Sequence, residues 1–196
     1  MKKFLLCAVL LLAVWMCARP EPPARWTGQP GTEPVQNSVG LPRPWDRDGY
    51  TFTPLAHFAV HAVVLSRERY RQDPEAKLAP VDLALGWGPM SEPGNINALR
   101  ISQDHRWYQY SWSGEPPITE ATIARSSANM HLIPAEAAVR AELLQVRRHE
   151  LVDFSGYLVE IRRADGWHWR SSTSREDTGG GACEVVWVER LEHRPL

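Results

Sequence analysis

The chain contains 196 residues, with 22 Lys and Arg against 23 Asp and Glu, so its formal net charge is −1. A chain with balanced charge lacks the basic surface on which binding to a phosphate backbone depends, so we exclude nucleic acid as a partner. Charged residues make up 23% and apolar residues 43%, which is the composition of a folded globular protein and not of a disordered one. The length allows one domain.

The first segment, residues 1–18, combines two basic residues with an apolar run. Lys2 and Lys3 precede fifteen uncharged residues, 4–18. As a helix this run would be about 22 Å long, shorter than the roughly 30 Å hydrocarbon core of a bilayer. The pattern is typical of a secretory signal peptide or a short transmembrane anchor. Because basic flanks stay in the cytoplasm, we expect the rest of the chain on the periplasmic side of the inner membrane, tethered or released.

The end of the apolar run leaves its processing open. Signal cleavage prefers small residues at positions −3 and −1 relative to the cut. A cut after Ala18 puts Met16 at position −3, and a cut after Cys17 puts Trp15 there. Cys17 is a candidate for lipid attachment, although the same two bulky residues precede it. A cleaved signal peptide, a retained anchor and a lipoprotein all remain open.

Residues 19–49 are rich in proline and glycine, with seven prolines between residues 19 and 45. No hydrophobic period is recognisable there, which predicts an extended linker, with a proline-rich recognition segment as the alternative. A single globular domain is then expected at residues 50–192.

The first half of that domain predicts strands. Residues 58–65 form an apolar, β-branched run, and residues 80–87 alternate, with Val81, Leu83 and Leu85 on one face. Residues 99–102 and 105–113 predict a hairpin around a turn at Gln103 and Asp104.

The second half predicts a helix followed by three strands. Residues 135–148 carry apolar side chains at helical spacing after a proline, which predicts the one main helix. Residues 151–163 and 167–172 flank Asp165-Gly166, a hairpin signal, and residues 183–191 predict a final strand. The expected fold class is α+β, with a mostly antiparallel sheet or a small OB- or SH3-like barrel.

Four segments carry a resemblance. PVDLALGWGPM (80–90), SSANMHLIPA (126–135), FSGYLVEI (154–161) and SSTSREDTGGGACE (171–184) together resemble a family of exported bacterial proteins of unknown function. The resemblance covers most of residues 58–191 and implies export without implying an activity. Residues 147–161 also resemble the opening strand pair of an oligonucleotide- or oligosaccharide-binding (OB) barrel, which implies a fold and not a function.

Cys183 is the one cysteine of residues 19–196, so no disulfide within this region is expected. Three roles stay open: a small buried residue, a nucleophile, or a disulfide to another chain. Its shared strand face with Val185 and Trp187 favours burial. A nucleophilic role would need a basic partner, for which His131 and His168 are the candidates, with Asp177 as a further catalytic candidate.

The loop that precedes Cys183 is a candidate ligand site. Three consecutive charges end at Asp177 and precede three glycines whose amides could form an anion-binding nest. The alternative is a long hairpin turn in which Asp177 caps backbone amides. The expected ligand-binding residues are the loop positions and two nearby aromatic side chains: Arg175, Asp177, Gly179, Gly180, Gly181, Trp167 and Trp169.

Aromatic strands and the predicted compartment together give the functional expectation. Exposed tryptophans can stack on a saccharide, whereas buried ones belong to the core. His57 and His61 lie four residues apart, but the spacing indicates no third ligand, so no metal and no cofactor is expected. The first hypothesis is a membrane-tethered, non-enzymatic module that binds an envelope protein or a saccharide. The second is an envelope hydrolase or thiol enzyme that uses Cys183 with His131 or His168.

Overall fold

The computed structural model describes residues 23–174, 176–177, 179 and 181–196. The predicted leader (1–18) therefore lies outside the described residues, as do Arg175 and Gly180. Within the described residues, no helix is long and apolar enough to cross a membrane.

In the described residues, ten strands make up most of the regular secondary structure, and three short α-helices lie between them. The strands are β1 (Thr32–Asn37), β2 (Trp45–Arg47), β3 (Tyr50–Arg69), β4 (Val81–Gly86), β5 (Arg100–Asp104), β6 (Trp107–Ser111), β7 (Ser127–Pro134), β8 (Glu150–Arg163), β9 (His168–Arg170) and β10 (Glu184–Pro195). The helices are α1 (Pro93–Ala98), α2 (Glu120–Arg125) and α3 (Ala137–Leu143). The α+β class with a mostly antiparallel sheet is confirmed.

Five of the strands pair in a ring. β3 pairs with β4, β4 with β7, β7 with β10, β10 with β8, and β8 again with β3. The β7–β10 pair is parallel, and the other four pairs are antiparallel. β1 and β2 extend the sheet beside β3, β9 lies beside β8, and the β5–β6 hairpin forms a second sheet.

Alternating side chains fill the inside of this ring. Val81, Leu83 and Leu85 of β4 all belong to the main core cluster, as their alternation predicts, together with Met130 and Leu132 of β7. The opposite face of β4 is also buried, because the β5–β6 hairpin and the loop after β8 cover it. Polar residues on that covered face, among them Asp82, are consequently enclosed.

Strands β8 and β10 approach each other very closely at Gly156. A Cβ atom added there would lie 1.8 Å from the carbonyl oxygen of Trp187, so only glycine fits. The contact occurs where the pairing register of β8 and β10 shifts, between Val188 and Arg190. A bulge of this kind increases the local twist, which helps a sheet to curve.

Two predicted elements differ in position or length. The β5–β6 turn lies at His105 and Arg106, two residues after the predicted turn, and both residues have positive φ (48° and 65°). A two-residue turn of this type usually contains Asn or Gly, so His-Arg gave no signal. The predicted helix 135–148 shortens to α3, because its C-terminal half forms the turns that lead into β8.

Residues 23–49 pack along the domain, where composition had predicted a linker. β1 and β2 both pair with β3. Ala24 is buried, and its backbone N–H and carbonyl form two hydrogen bonds with the side chain of Asn97. Proline is tolerated in β1 because this strand lies at the end of the strand order, where a missing N–H interrupts no ladder. The folded domain therefore begins well before residue 50.

Candidate functional site

A buried carboxylate and a buried imidazole form the base of the site. Asp82 of β4 and His131 of β7 are direct cross-strand partners on the covered outer face of the ring. Asp82 is fully buried and His131 is 4% exposed. Oδ2 of Asp82 lies 2.8 Å from Nδ1 of His131, so the strand register itself sets the orientation of the imidazole.

Arg106 holds the other oxygen of the same carboxylate. Its Nη1 donates to Oδ1 of Asp82 at 2.9 Å, and its Nη2 donates to Asp73 at 2.6 Å. Asp82 therefore lies between two basic groups. This arrangement offsets the cost of burying its charge, which is high for an unpaired carboxylate.

Further contacts fix Arg106 at the tip of the β5–β6 hairpin. Its backbone N–H donates to the hydroxyl of Tyr70 at 2.9 Å, and its guanidinium lies 4.0 Å from the centre of the Tyr70 ring. Nη2 also donates to the carbonyl of Ala79 at 3.1 Å. These contacts compensate for the positive φ of a non-glycine residue and attach the hairpin to the site.

Cys183 places its thiol beside the imidazole. It directly precedes β10, whose Val185 pairs with His131, and its thiol is close enough to the imidazole to raise the pKa of His131. Asn129, two residues before His131 on the same strand face, points its Nδ2 at the Cys183 sulfur at 3.7 Å. Cys183 is partly exposed. The thiol thus contacts polar groups at a cleft, and not the apolar core that its strand face had favoured.

The surroundings of His131 favour its protonated form. Burial alone lowers the pKa of the imidazole, but the contacts with Asp82 and Cys183 outweigh burial and raise the pKa from 6.5 to about 9. At neutral pH the imidazole is therefore a cation between a carboxylate and a sulfur. A neighbouring cation is one of the features that distinguish reactive cysteines from inert buried ones.

Two cavities meet at Cys183. The first, here called the tyrosine cavity, has a volume of about 180 Å³ and is lined by Trp87, Trp107, Tyr108, Tyr110, Asn129 and Cys183, among others. The second, the tryptophan groove, has a volume of about 500 Å³ and is lined by Arg106, Trp107, His131, Trp167, Trp169 and Cys183, among others. Trp107 and Cys183 belong to both linings, so the sulfur lies where the two cavities adjoin.

Two serines, Ser171 and Ser172, form hydrogen bonds across the two ends of the loop before Cys183. The N–H of Ser172 donates to the carbonyl of Cys183 at 3.0 Å, and Oγ of Ser171 accepts from the N–H of Val185 at 3.0 Å. Asp177 accepts a hydrogen bond from Oγ of Ser172 at 2.6 Å, so its carboxylate braces the loop. These bonds hold the backbone of Cys183 in position at the end of the loop.

Most of the other predicted site residues line one or both cavities. Trp167, Trp169, His168, Gly179 and Gly181 all line the tryptophan groove, and Gly179 and Asp177 also line the tyrosine cavity. His131 is the predicted histidine that contacts the thiol, whereas His168 is exposed on β9. Arg175 and Gly180 lie outside the described residues, so the predicted anion nest stays a prediction.

Sequence reasoning missed four residues of the site: Asp82, Arg106, Trp107 and Asn129. A signal existed for two of them, because Asp82 is the charged residue of an otherwise apolar strand and Asn129 lies two residues before His131 on the same strand face. In the described residues, no three His, Cys, Asp or Glu side chains group as metal ligands. The chemistry that the site offers is that of a thiol, an imidazole and a carboxylate in series.

Comparison of the chain with protein-family models, with curated proteins and with solved structures finds no match in any of the three.

Proposed function

We propose that this protein is a thiol-dependent acyl-transfer enzyme, with Cys183 as the nucleophile, His131 as the proton carrier and Asp82 as the residue that orients His131. One observation carries the proposal: Cys183 and His131 line the same open groove, Nδ2 of Asn129 lies 3.7 Å from the Cys183 sulfur, and Nδ1 of His131 lies 2.8 Å from the buried carboxylate of Asp82. A nucleophile, a base and an orienting acid in series are the parts that nucleophilic catalysis requires.

The reaction has two balanced steps. The sulfur attacks the acyl carbonyl carbon and a C–S bond forms, while the bond to the leaving group breaks and the leaving group takes a proton from His131. Water then gives one proton to His131 while its oxygen attacks the thioester, which releases a carboxylic acid and returns the sulfur as a thiolate beside the imidazolium. Asp82 stays ionised throughout and stabilises the imidazolium.

The proposed fold is an OB-type barrel. The strand ring supports this fold. In chain order the five ring strands are β3, β4, β7, β8 and β10, and around the ring they follow the order β3-β4-β7-β10-β8. The third and fifth strands in chain order, β7 and β10, pair in parallel, and α3 lies between the third and the fourth. OB barrels bind ligands on the face of their second and third strands and on two adjoining loops. Asp82 and His131 lie on those two strands, and Cys183 ends one of those loops.

The proposed setting is the bacterial envelope. Lys2, Lys3 and the apolar run 4–18 support export, with the domain tethered to the inner membrane on its periplasmic side or released there. The resemblance to exported bacterial proteins supports the same setting. No cofactor enters the proposed chemistry.

The test is the alkylation rate of Cys183 in the full chain, measured with iodoacetamide. Trypsin cuts after Arg175 and Arg190, so the peptide Glu176–Arg190 reports on Cys183 separately from Cys7 and Cys17. We expect alkylation at pH 6.5 to be at least about tenfold faster in the folded chain than in urea, because the imidazolium stabilises the attacking sulfur. His131→Gln should abolish this advantage.

Two further measurements sharpen this test. His57→Gln is the matched control and should leave the alkylation rate within about twofold, because His57 on β3 lines neither cavity. Incubation with 4-nitrophenyl acetate should place an acetyl group on the same peptide. An alkylation rate equal to that in urea, or one unaffected by His131→Gln, contradicts the proposal.

A non-enzymatic binding module is the second candidate function. Its support is the aromatic lining of both cavities, which offers stacking surfaces that need no chemistry. It predicts ligand binding without any enhanced reactivity of Cys183, so the alkylation experiment separates the two candidates.

A further inference from the structure

Trp107 is an unusually exposed aromatic side chain at a reactive site. Trp107 is 47% exposed, and the other large apolar residues that are exposed within the described residues are the aliphatic Val35, Val39 and Leu196. Trp107 directly follows the β5–β6 turn and lines both cavities next to Cys183. Exposed indole surface at the junction of two cavities points to a ligand that covers it.

Two further tryptophans extend this surface along the tryptophan groove. The rings of Trp167 and Trp169 meet edge to face, with centroids 6.3 Å apart, and Trp169 lies 4.8 Å from the His131 ring. The volume of about 500 Å³ falls within the range of about 300–1,000 Å³ that is common for small-ligand sites. The groove therefore offers apolar faces directly beside the proposed nucleophile.

The charges of the groove favour a neutral ligand. Arg106 is already paired with Asp73 and Asp82, the His131 cation is also paired with Asp82, and Arg170 is paired with Glu160 at 2.7 Å. Glu75 adds a carboxylate to the lining. Because these arginines are engaged, a phosphate would gain little from them and would be repelled by the carboxylates. A ring with apolar faces and hydroxyl groups, such as a pyranose, fits this lining better than a nucleotide.

We infer that the tryptophan groove binds an acylated saccharide, whose pyranose rings contact Trp107 and Trp169 and whose acyl carbonyl lies at Cys183. This inference rests on the proposed function and names its substrate class. In the first step the Cys183–acyl bond forms and the bond between the acyl group and the sugar oxygen or nitrogen breaks. The sugar takes the proton from His131, and water hydrolyses the thioester as described above.

The test uses the full-length Cys183→Ala chain, which can bind a substrate without turning it over. The probe is chitotriose, the trimer of N-acetylglucosamine, because it combines pyranose rings with acyl groups. We expect a saturable change in tryptophan fluorescence on titration. Adding Trp107→Ala should weaken binding by about tenfold or more, because the stacking surface is lost. Trp112→Phe is the matched control on the same hairpin and should leave the affinity unchanged, since Trp112 packs against Tyr110.

Two other probes give outcomes that overturn the inference. Binding of hexathymidylate in preference to chitotriose would identify a nucleic-acid site, and equal binding of maltotriose, which carries no acyl group, would overturn the acyl assignment. Absence of chitotriose binding also overturns the inference. Its failure is distinguishable from that of the proposed function, because the alkylation rate of Cys183 in the unsubstituted chain is measured without any saccharide.

Discussion

The charge state of His131 depends on its two neighbours. Burial disfavours an imidazolium, while Asp82 and Cys183 favour it, and the balance raises the pKa of His131 to about 9. The folded chain therefore binds a proton at His131 between pH 6.5 and 9, a range in which an unfolded histidine has largely lost it. This proton stabilises the folded state below about pH 6.5, and the stabilisation disappears as the pH rises through 9.

The resulting prediction concerns stability at alkaline pH. The free energy of unfolding should fall between pH 6.5 and 9, and His131 contributes at most about 1.4 kcal/mol per pH unit to the slope. His131→Gln should remove this part of the slope, as measured by urea unfolding at a series of pH values. His168→Gln, which changes an exposed ring, should retain it. An identical pH dependence in wild type and His131→Gln would show that His131 is not protonated in this range.

The site illustrates how far single residues could be predicted. Cys183 was a candidate nucleophile because it is the one cysteine of residues 19–196, and His131 was a candidate partner together with His168. Asp82 was placed on the correct strand face but received no role, since its partner Arg106 lies on a separate hairpin. Contacts between distant segments depend on how the sheet closes, and no local pattern contains that information.

At the scale of the elements, the β5–β6 hairpin connects fold and site. Its turn places both His105 and Arg106 at positive φ, which is costly for residues with a Cβ atom. The ion pairs of Arg106 with Asp73 and Asp82 compensate for this cost. A hairpin held in this way keeps Trp107 in the linings of both cavities, together with Cys183, and fixes Asp82 at the same time. Turn position was predicted two residues too early because propensity favours Gln103-Asp104 over His-Arg.

The N-terminal strands are the second element whose role differs from the prediction. Trp45 of β2 stacks on Phe52 at 5.7 Å and meets the Trp187 ring at 5.2 Å. Proline-rich composition indicated a linker, but composition does not reveal that Trp45 has aromatic partners elsewhere in the chain. Residues 23–49 therefore contribute to the core, and removal of the chain before Tyr50 would expose Phe52 and Trp187.

Substitution of Trp45 tests this role. Trp45→Ala should lower the free energy of unfolding by about 2–3 kcal/mol, somewhat less than for a fully buried tryptophan, because it removes ring packing over Phe52 and Trp187. Urea or thermal unfolding followed by circular dichroism measures the change. Val39→Ala, at a position 78% exposed in the same segment, should stay within about 0.5 kcal/mol of wild type. Equal stability of Trp45→Ala and wild type would restore the linker interpretation.

At the scale of the whole molecule, closure of the strand ring assembles the site. The parallel β7–β10 pair brings His131 next to Val185 and, with it, Cys183 next to His131. Strand existence was predictable from alternation and from turn residues, for example in residues 80–87 and around Asp165-Gly166. The order of pairing could not be predicted, because the parallel pair joins strands that are separated by about fifty residues and by three other elements, α3, β8 and β9. The catalytic proposal therefore depends on topology more than on any motif.

Location is the remaining property of the whole molecule, and the prediction is export. Lys2 and Lys3 before the apolar run 4–18 should direct the domain across the inner membrane, because basic flanks stay in the cytoplasm. A phosphatase that is active only outside the cytoplasm, fused after Leu196 so that the whole domain precedes it, should be active in a bacterial host. The same fusion without residues 1–18 should be inactive, and a fluorescent reporter that functions only in the cytoplasm should show the opposite pattern. An inactive phosphatase on the full chain, with the cytoplasmic reporter active, would place Cys183 in a reducing compartment. In the cytoplasm the Cys183 thiol would stay reduced, and the protein would not meet the saccharides of the envelope.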